Sequence, residues 1–339
     1  MVVENAGWVA GLKKYEQPVT WKVVVQLADT VLPLLASMTL MYVTIGRGLP
    51  YWITLLLAVP TGAFLLRTFI LFHDCCHGSL VASPRALAII GTVLGVLCLT
   101  PFDDWRYSHG VHHATAGDLD RRGIGDVWTM TLNEYAAAGR LRRALYQFYR
   151  FPPVMFLLGP LLSFVIRNRI PTPGARGRRL RSVWLTNAVL AAVITALGLT
   201  VGFKAFLMVE LPVIVLGGAG GVWLFYVQHN FDPSYWAHSG EWSAVEAALH
   251  GSSYYKLPPV LRWVSGSIGL HHLHHLRPRI PNYNLHRAVR ETPELQLPNA
   301  LTLRTSFRSV RYKVWDEERG VFLNFPQMLQ ALRVRPHTA

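Results

Sequence analysis

Residues 51–77 read YWITLLLAVPTGAFLLRTFILFHDCCH, an apolar segment that ends in a histidine-rich word. About 20 apolar residues suffice to cross a bilayer as a helix, so residues 51–72 predict a membrane span. His73 and His77 follow directly, and a separation of four residues places two side chains on one helical face. The stretch therefore predicts a helix that crosses the membrane and presents two imidazoles at one end.

Three further stretches are long and apolar enough to cross a bilayer. The predicted spans are 27–46, 51–72, 184–201 and 205–227. Short turns join the first span to the second and the third to the fourth, which predicts two hairpins. Two shorter stretches, 86–102 and 151–166, are interrupted by Gly or Pro and are predicted to be interfacial or re-entrant. The predicted fold class is an all-α integral membrane protein of four transmembrane helices with a cytoplasmic helical cap.

The charge distribution predicts the orientation of these spans. The net charge is +14, with fourteen Lys or Arg between residues 83 and 182 and thirteen more after His229. The two hairpin turns carry only Arg47 and Lys204. The positive-inside rule therefore places both termini and the central region in the cytoplasm, at the inner membrane if the source is bacterial. Anionic headgroups or an acidic electron donor are the expected counter-charges, and no nucleic-acid partner is predicted.

The composition supports a membrane protein without disulfides. Half of the residues are hydrophobic and only 15% are charged, which is unusual for a soluble domain. Three cysteines, of which two are adjacent, predict neither a disulfide framework nor a zinc ribbon. We divide the chain into a cytoplasmic N-terminal segment (1–26), a membrane domain (27–290) and a cytoplasmic C-terminal segment (291–339).

The histidines are concentrated in three words: HDCCH at 73–77, HGVHH at 109–113 and HHLHH at 271–275. Neutral imidazole is the commonest metal ligand at neutral pH, and spacings of three and four residues share a helical face. The donors are too many for one ion, so two metal ions are predicted. The predicted ligands are His73, His77, His109, His112, His113, His229, His271, His274 and His275. His272 points off this face, and we assign it a packing or outer role.

The ligand type favours iron. Imidazole suits Zn, Cu, Fe and Ni, but a hydrolytic zinc site needs only three protein ligands. Two ions with open coordination positions are what iron uses to activate O2, so a dinuclear iron centre with O2 as co-substrate is favoured, and a membrane position suggests a lipid-like substrate. No catalytic residue beyond the metal ligands is predicted.

Carboxylates beside the histidine words are candidates for orienting the imidazoles, because a metal-bound imidazole usually donates its other N–H. The acids near the words are Asp74, Asp103, Asp104, Asp118, Asp120, Asp126 and Asp232. From these we select Asp74, Asp104, Asp118 and Asp232 as second-shell candidates, together with His272. Any one of these carboxylates could equally well serve to cap a helix or to pair with an arginine.

The words around the histidines resemble those of integral-membrane fatty acid desaturases. They are RTFILFHDCCHGSL at 67–80, HGVHHATAGDLDRRGIGDVWTMTLNEY at 109–135, FYVQHNF at 225–231 and GLHHLHHLRPRIPNYNL at 269–285. These words are similar to the acyl-lipid delta-12, or omega-6, branch of that family. The resemblance covers roughly residues 27–290.

The resemblance implies a four-span, non-haem di-iron enzyme that uses O2 and two electrons to desaturate a fatty acyl chain. The metal-binding histidines of the family map onto the eight histidines predicted from the three words, and His229 matches an extra histidine after the last span. Asp232 stands where many relatives have Glu, which keeps the charge. The His-Pro-Gly-Gly word of a fused cytochrome is missing, so a separate electron donor, a ferredoxin or a b-type cytochrome, is expected.

Two alternatives stay open at this point. A related membrane hydroxylase or ketolase acting on fatty acids, alkanes, carotenoids or sterols would use the same histidine spacing, because the first hydrogen abstraction is common to both reactions. A metal transporter or sensor is the non-enzymatic alternative, but its ligands should lie within the spans near the midplane. The histidines here lie at the ends of the spans and outside them.

Overall fold

A computed structural model describes residues 7–296 and 300–334, so the predicted terminal segments 1–26 and 291–339 are described only in part. The α-helices are α1 (Gly7–Gly11), α2 (Thr20–Gly46), α3 (Tyr51–His77), α4 (Pro84–Leu97), α5 (Phe102–Thr115), α6 (Leu132–Ala137), α7 (Arg140–Tyr149), α8 (Arg178–Leu197), α9 (Phe203–His229), α10 (Ala244–Leu249), α11 (Pro259–Val264), α12 (His271–Leu276), α13 (Asn282–Glu291), α14 (Leu303–Ser306) and α15 (Phe325–Val334). The strands are β1 (Met130–Thr131), β2 (Tyr255–Lys256), β3 (Leu301–Thr302), β4 (Tyr312–Asp316) and β5 (Val321–Asn324).

Three helical runs are long and apolar enough to cross a membrane: Thr20–Gly46, Tyr51–His77 and Arg178–His229. The number rises to five if two bent helix pairs each count as one span. One pair is α4 with α5, bent by 94°, and the other is α7 with Val154–Arg169, bent by 67°. The apolar helices agree with the predicted membrane protein, and both bent pairs include the stretches that the sequence predicts to be interfacial or re-entrant.

Helix α3 is the central element and packs against α2, α4, α5 and α9. It approaches α9 closely at Gly62, where an added Cβ would stand 3.0 Å from the backbone nitrogen of Gly217. The helix ends directly after His77 because Gly78 adopts the left-handed conformation (φ +71°) that favours glycine at this position. The two histidines of the first word therefore occupy the last two turns of the helix.

The few charges inside the apolar helices have partners, as a low-dielectric environment requires. Arg67 of α3 is 3.7 Å from Asp29 of α2, and its guanidinium also donates to Thr30 and to the Trp263 carbonyl. The carboxylate of Glu210 in α9 accepts a hydrogen bond of 2.9 Å from the hydroxyl of Tyr42. These contacts tie α2, α3 and α9 together.

Helix α9 runs in the same direction as α3, whereas α8 runs in the opposite direction. The first turn of α8 lies beside α5, where the Ser182 hydroxyl accepts a hydrogen bond from the Asp103 amide. The first turns of α9 lie at the other end of the bundle, where Tyr51 donates to the Met208 carbonyl. Gly202, with φ +88°, separates the π-helical turn Gly198–Gly202 from α9. Helix α9 therefore returns toward the histidine words and ends at His229.

The prediction of an all-α protein is correct for most of the chain but wrong in one respect. Strand β4 pairs in parallel with β1 and antiparallel with β5, and β2 pairs in parallel with β3. These strands are only two to five residues long, and they pair over large separations, such as Met130 with Val314. The C-terminal segment consequently packs against the region that follows α5.

Candidate metal centre

Four helices bring their histidines to one place. The ends of α3 and α9 supply His73, His77 and His229, and α5 and α12 supply the histidines of the second and third words. Among the described residues, the donor atoms form two groups in which all members lie within 4.8 Å of one another. The first group contains His73, His77, His109, His113 and His274, and the second contains His112, His229, His271 and His275.

The two groups fit metal ions by their internal distances. Facing Nε2 atoms of neighbouring imidazoles are 3.0–3.3 Å apart. Nitrogens that share one ion through bonds of about 2.1 Å stand about 3.0–3.4 Å apart, depending on the coordination angle. The Nδ1 atoms of His73, His113 and His271 are buried without a hydrogen-bond partner among the described residues, while their Nε2 atoms converge. The donor sets thus match the coordination shells of two ions.

Electrostatics favour the metal-binding form of these side chains. Burial lowers the pKa of His271, His274 and His275 well below the usual histidine value, and neighbouring imidazoles lower it further. These rings are therefore neutral at pH 7, which is the protonation state that coordinates a metal.

One carboxylate contacts a histidine of the second group directly. Asp126 Oδ1 lies 2.5 Å from His112 Nδ1, and Asp126 Oδ2 accepts a hydrogen bond of 2.9 Å from the Gly123 amide. The contact fixes the orientation of the imidazole and leaves its Nε2 free to face His229 Nε2 at 3.1 Å.

An apolar cavity of about 210 Å³ adjoins the histidines between α3 and α9. Its histidine end is lined by His73, His109 and His271, and the indole of Trp105 stacks on His109 with ring centroids 4.3 Å apart. Its walls follow one face of each long helix: Leu66, Phe69 and Ile70 on α3, and Gly221, Val222, Leu224, Phe225 and Gln228 on α9. The cavity therefore extends from the donor atoms along the helices.

Comparison with known proteins identifies the family. Residues 50–307 match the family model described as fatty acid desaturase. The chain belongs to the fatty acid desaturase family. A protein named fatty acid desaturase from Bacillus subtilis (strain 168) is 43% identical over 311 residues, which are 92% of this chain and 88% of that relative.

More distant relatives of this desaturase carry more specific names. The omega-3 fatty acid desaturase of the endoplasmic reticulum from Vigna radiata is 27% identical over 253 residues, 68% of this chain and 62% of that relative. The sn-1 oleoyl-lipid 12-desaturase of Synechocystis is 25% identical over 252 residues, 71% of this chain and 68% of that relative. The predicted resemblance to desaturases is confirmed, and omega-6 and 12-desaturases are among the relatives, together with omega-3 desaturases.

Asp74, one of the carboxylates predicted to orient an imidazole of the desaturase, lies at the end of another helix. Its Oδ2 accepts hydrogen bonds from the backbone and side-chain nitrogens of Asn282, at 3.0 and 2.9 Å, and so caps α13. Its Oδ1 is 3.6 Å from His73 Nδ1, which is too long for a hydrogen bond. Asp74 joins α3 to α13 and does not hold an imidazole by a hydrogen bond.

The carboxylates of Asp104 and Asp118 are occupied elsewhere. Asp104 accepts hydrogen bonds from Thr172, in the connector before α8, and from Arg179, in the first turn of α8. Although burial raises the pKa of Asp118, hydrogen bonds from Arg121, from the Asp120 amide and from Ser239 hold it below the usual value. Neither carboxylate makes a hydrogen bond to a histidine of the two groups in the described parts of the chain.

Asp232 and His272 also lie outside the two groups of donors. Asp232 follows α9, and partial burial raises the pKa of its carboxyl group. His272 is fully buried, its Nε2 donates to the Leu295 carbonyl at 3.2 Å, and burial lowers its pKa to about 4. Asp126 is among the acids that lie near the histidine words, but it is not one of the chosen candidates. The loop that brings it to His112 has no helical or strand periodicity from which the contact could be predicted.

We expect the substitution Asp126→Asn to lower desaturase turnover by about 10–100-fold, since outer-shell partners of metal-bound histidines have effects of this size. The amide keeps the shape of the side chain but loses the charge that holds His112. Turnover and metal content of the purified protein measure the effect. Asp120→Asn is the matched control, because the Asp120 carboxylate binds the exposed His238 instead. Equal turnover of both variants and the wild type would contradict the role of Asp126.

Proposed function

We propose that the protein is an O2-dependent desaturase that introduces a double bond into the acyl chain of a membrane lipid at a non-haem di-iron centre. The observation that carries the proposal is the position of the two histidine groups at one end of an apolar cavity between two membrane helices. Family membership supports the reaction, and the name of the Synechocystis relative supports a lipid-bound acyl substrate.

The nine histidines of the two groups are the proposed iron ligands, five for one ion and four for the other. Bound there, two iron ions would supply, with O2 and two electrons, the oxidising power to remove one hydrogen from each of two adjacent methylenes. The four-member group offers the smaller donor set, so an ion held there would keep more open coordination positions. Together with two protons from solvent, the two hydrogens and both oxygen atoms would leave as two water molecules.

The chain's own residues bind and orient the acyl chain. The side chains of Leu66, Phe69, Ile70 and Leu224 provide the apolar wall, and burial of methylenes against such a wall contributes about 0.8 kcal/mol per CH2. Trp105 and His109 form a flat boundary at the histidine end. The wall excludes water from the reacting methylenes and holds them beside the donor atoms.

The topology that we propose is four spans in two hairpins. The helical run Arg178–His229 has 52 residues, or about 78 Å at 1.5 Å per residue, which is more than twice the thickness of the hydrocarbon core. The break at Gly202 supports its division into two antiparallel spans. The excess of Lys and Arg at the histidine end supports a cytoplasmic position for both termini and for the cap, with residues 27–290 as the membrane domain.

The electron donor is proposed to be a separate protein, a ferredoxin or a b-type cytochrome, and the net charge of +14 favours an acidic one. No nucleic-acid partner is proposed.

Expression of the full chain in cells, followed by mass spectrometry of their lipids, tests the function. We expect acyl chains that have lost two hydrogens in cells with the wild-type chain and not in cells with a His274→Ala variant. Acyl chains that gain one oxygen instead would identify a hydroxylase and overturn the proposal. Metal analysis of the purified wild type is expected to give about two iron ions per chain, since the two donor sets are complete.

A further inference from the structure

A second, smaller chamber of about 30 Å³ lies beyond the cavity, on the side away from the donor atoms. Leu65, Cys98, Leu99, Ile214, Gly217 and Gly218 line only this chamber. Leu66, Phe69, Phe164 and Gly221 line both chambers and so surround the passage between them. The rings of Phe69 and Phe164 meet edge to face with centroids 5.6 Å apart.

The glycines of α9 differ in what an added side chain would meet. A Cβ on Gly217 would stand 2.9 Å from the Gly62 carbonyl oxygen, and one on Gly218 would stand 2.6 Å from Pro160 Cβ. Helix packing therefore requires these two glycines. A Cβ on Gly221 would meet only Leu66 Cδ1 at 3.7 Å, an ordinary contact. Close packing between helices therefore does not account for glycine at position 221. Its presence needs another explanation, because glycine is a poor helix former.

We propose that Gly221 sets how much of the acyl chain can extend past the reacting methylenes. The inference rests on the proposed desaturase function and names a determinant of its specificity. Gly221 precedes His229 by eight residues, about 12 Å along the axis of α9. An acyl chain that passes the donor atoms must run by Gly221 to reach the small chamber.

The end of the chain that enters the small chamber is the methyl end. The side chains that line this chamber are apolar, and it lies between α3 and α9 toward the interior of the predicted bilayer. A polar headgroup or thioester would lose its hydrogen bonds there, whereas a methyl group would not. The size of the chamber therefore limits the number of carbons between the new double bond and the methyl end.

The test is to fill the passage in steps with Gly221→Ala and Gly221→Leu in the full chain. We expect both variants to fold, because neither backbone strain nor a close backbone contact opposes a side chain at this position. Products should carry fewer carbons beyond the double bond, either through a shifted double bond or through selection of shorter chains. One methylene of misfit in an apolar pocket discriminates by about tenfold or more, so Gly221→Ala should shift the product ratio by at least about tenfold.

Two further variants test whether a change in products comes from the size of the passage. Ala219→Leu places the same leucine side chain on α9 outside both chambers and should leave the product distribution unchanged. Phe164→Leu removes a ring that lines the passage and should move the distribution in the opposite direction. Mass spectrometry of double-bond positions measures all of them.

The outcomes separate this inference from the proposed function. Absence of new double bonds with the wild-type chain defeats the proposed function itself. Active Gly221→Ala and Gly221→Leu variants with a wild-type product distribution defeat only the role of Gly221. If Gly221→Leu is inactive, Gly221→Ala decides the question, and a wild-type distribution from this variant overturns the inference.

Discussion

The substitution His229→Ala is expected to remove one of the two proposed metal ions and to lower desaturation more than about 100-fold, a larger loss than substitution of a residue that only orients a ligand would cause. His229 Nε2 is 3.1 Å from His112 Nε2 and 3.0 Å from His271 Nε2, so it stands between two donors of the four-member group. Only three donors remain after the substitution. The metal content of the purified protein should fall from about two ions per chain to about one, and lipid mass spectrometry should detect little product.

A comparison of substitutions sharpens this prediction. His113→Ala leaves four donors in the five-member group, so we expect a smaller loss of metal than with His229→Ala. His250→Ala is the control, because His250 is exposed and pairs with Glu246 one helical turn away. Metal content and turnover of the control should equal those of the wild type. Two retained ions in His229→Ala would show that the four-member group does not depend on His229 to hold its ion.

The substitution Arg150→Ala is expected to destabilise the fold by at least about 3 kcal/mol, because each of three buried acceptors that loses its donor costs about 1–3 kcal/mol. The Arg150 guanidinium is buried and donates to the side chain of Asn230, to the hydroxyl of Tyr226 and to the carbonyl of Tyr312. The substitution leaves these acceptors in an apolar environment without their donor. Asn230 follows His229 directly, so loss of the contact should also disturb the metal centre.

Thermal unfolding in detergent measures the effect of Arg150→Ala, and we expect the midpoint to fall by roughly 10 °C for a loss of this size. Arg142→Ala, in the helix α7 that Arg150 directly follows, is the control, because Arg142 is exposed and surface substitutions usually change stability by less than about 0.5 kcal/mol. A midpoint of Arg150→Ala within a degree or two of this control would mean that the buried network does not stabilise the fold.

The long helices could be predicted from the sequence because their signal is local. The predicted span 51–72 lies within α3, and the helix continues to His77 because the histidine word contains no helix breaker before Gly78. The predicted span 27–46 likewise lies within α2, which begins at Thr20 with residues that are less apolar than those of the span. Hydropathy detects the bilayer-crossing part of a helix and not its ends.

The division of the histidines into two groups could not be predicted from their spacing. The sequence places His109, His112 and His113 on one helical face, but His112 joins the second group and His113 the first. Adjacent residues on a helix point about 100° apart, so each word can serve two sites, but the choice depends on where the other helices lie. The pairing of Asp126 with His112 and of β1 with β4 also depends on such long-range placement.

The adjacent histidines 112–113 and 274–275 have a mechanical consequence for metal loading. In each pair, one ring belongs to the five-member group and the other to the four-member group, and the two ring centroids are 5.7 and 5.9 Å apart. Consecutive Cα atoms are held 3.8 Å apart by the peptide unit, so two stiff helical turns fix the spacing of both ion positions. An ion that orders one group orients the backbone that carries the other. Metal binding at the two candidate sites is therefore expected to be coupled, so that a change at one site alters the metal affinity of the other.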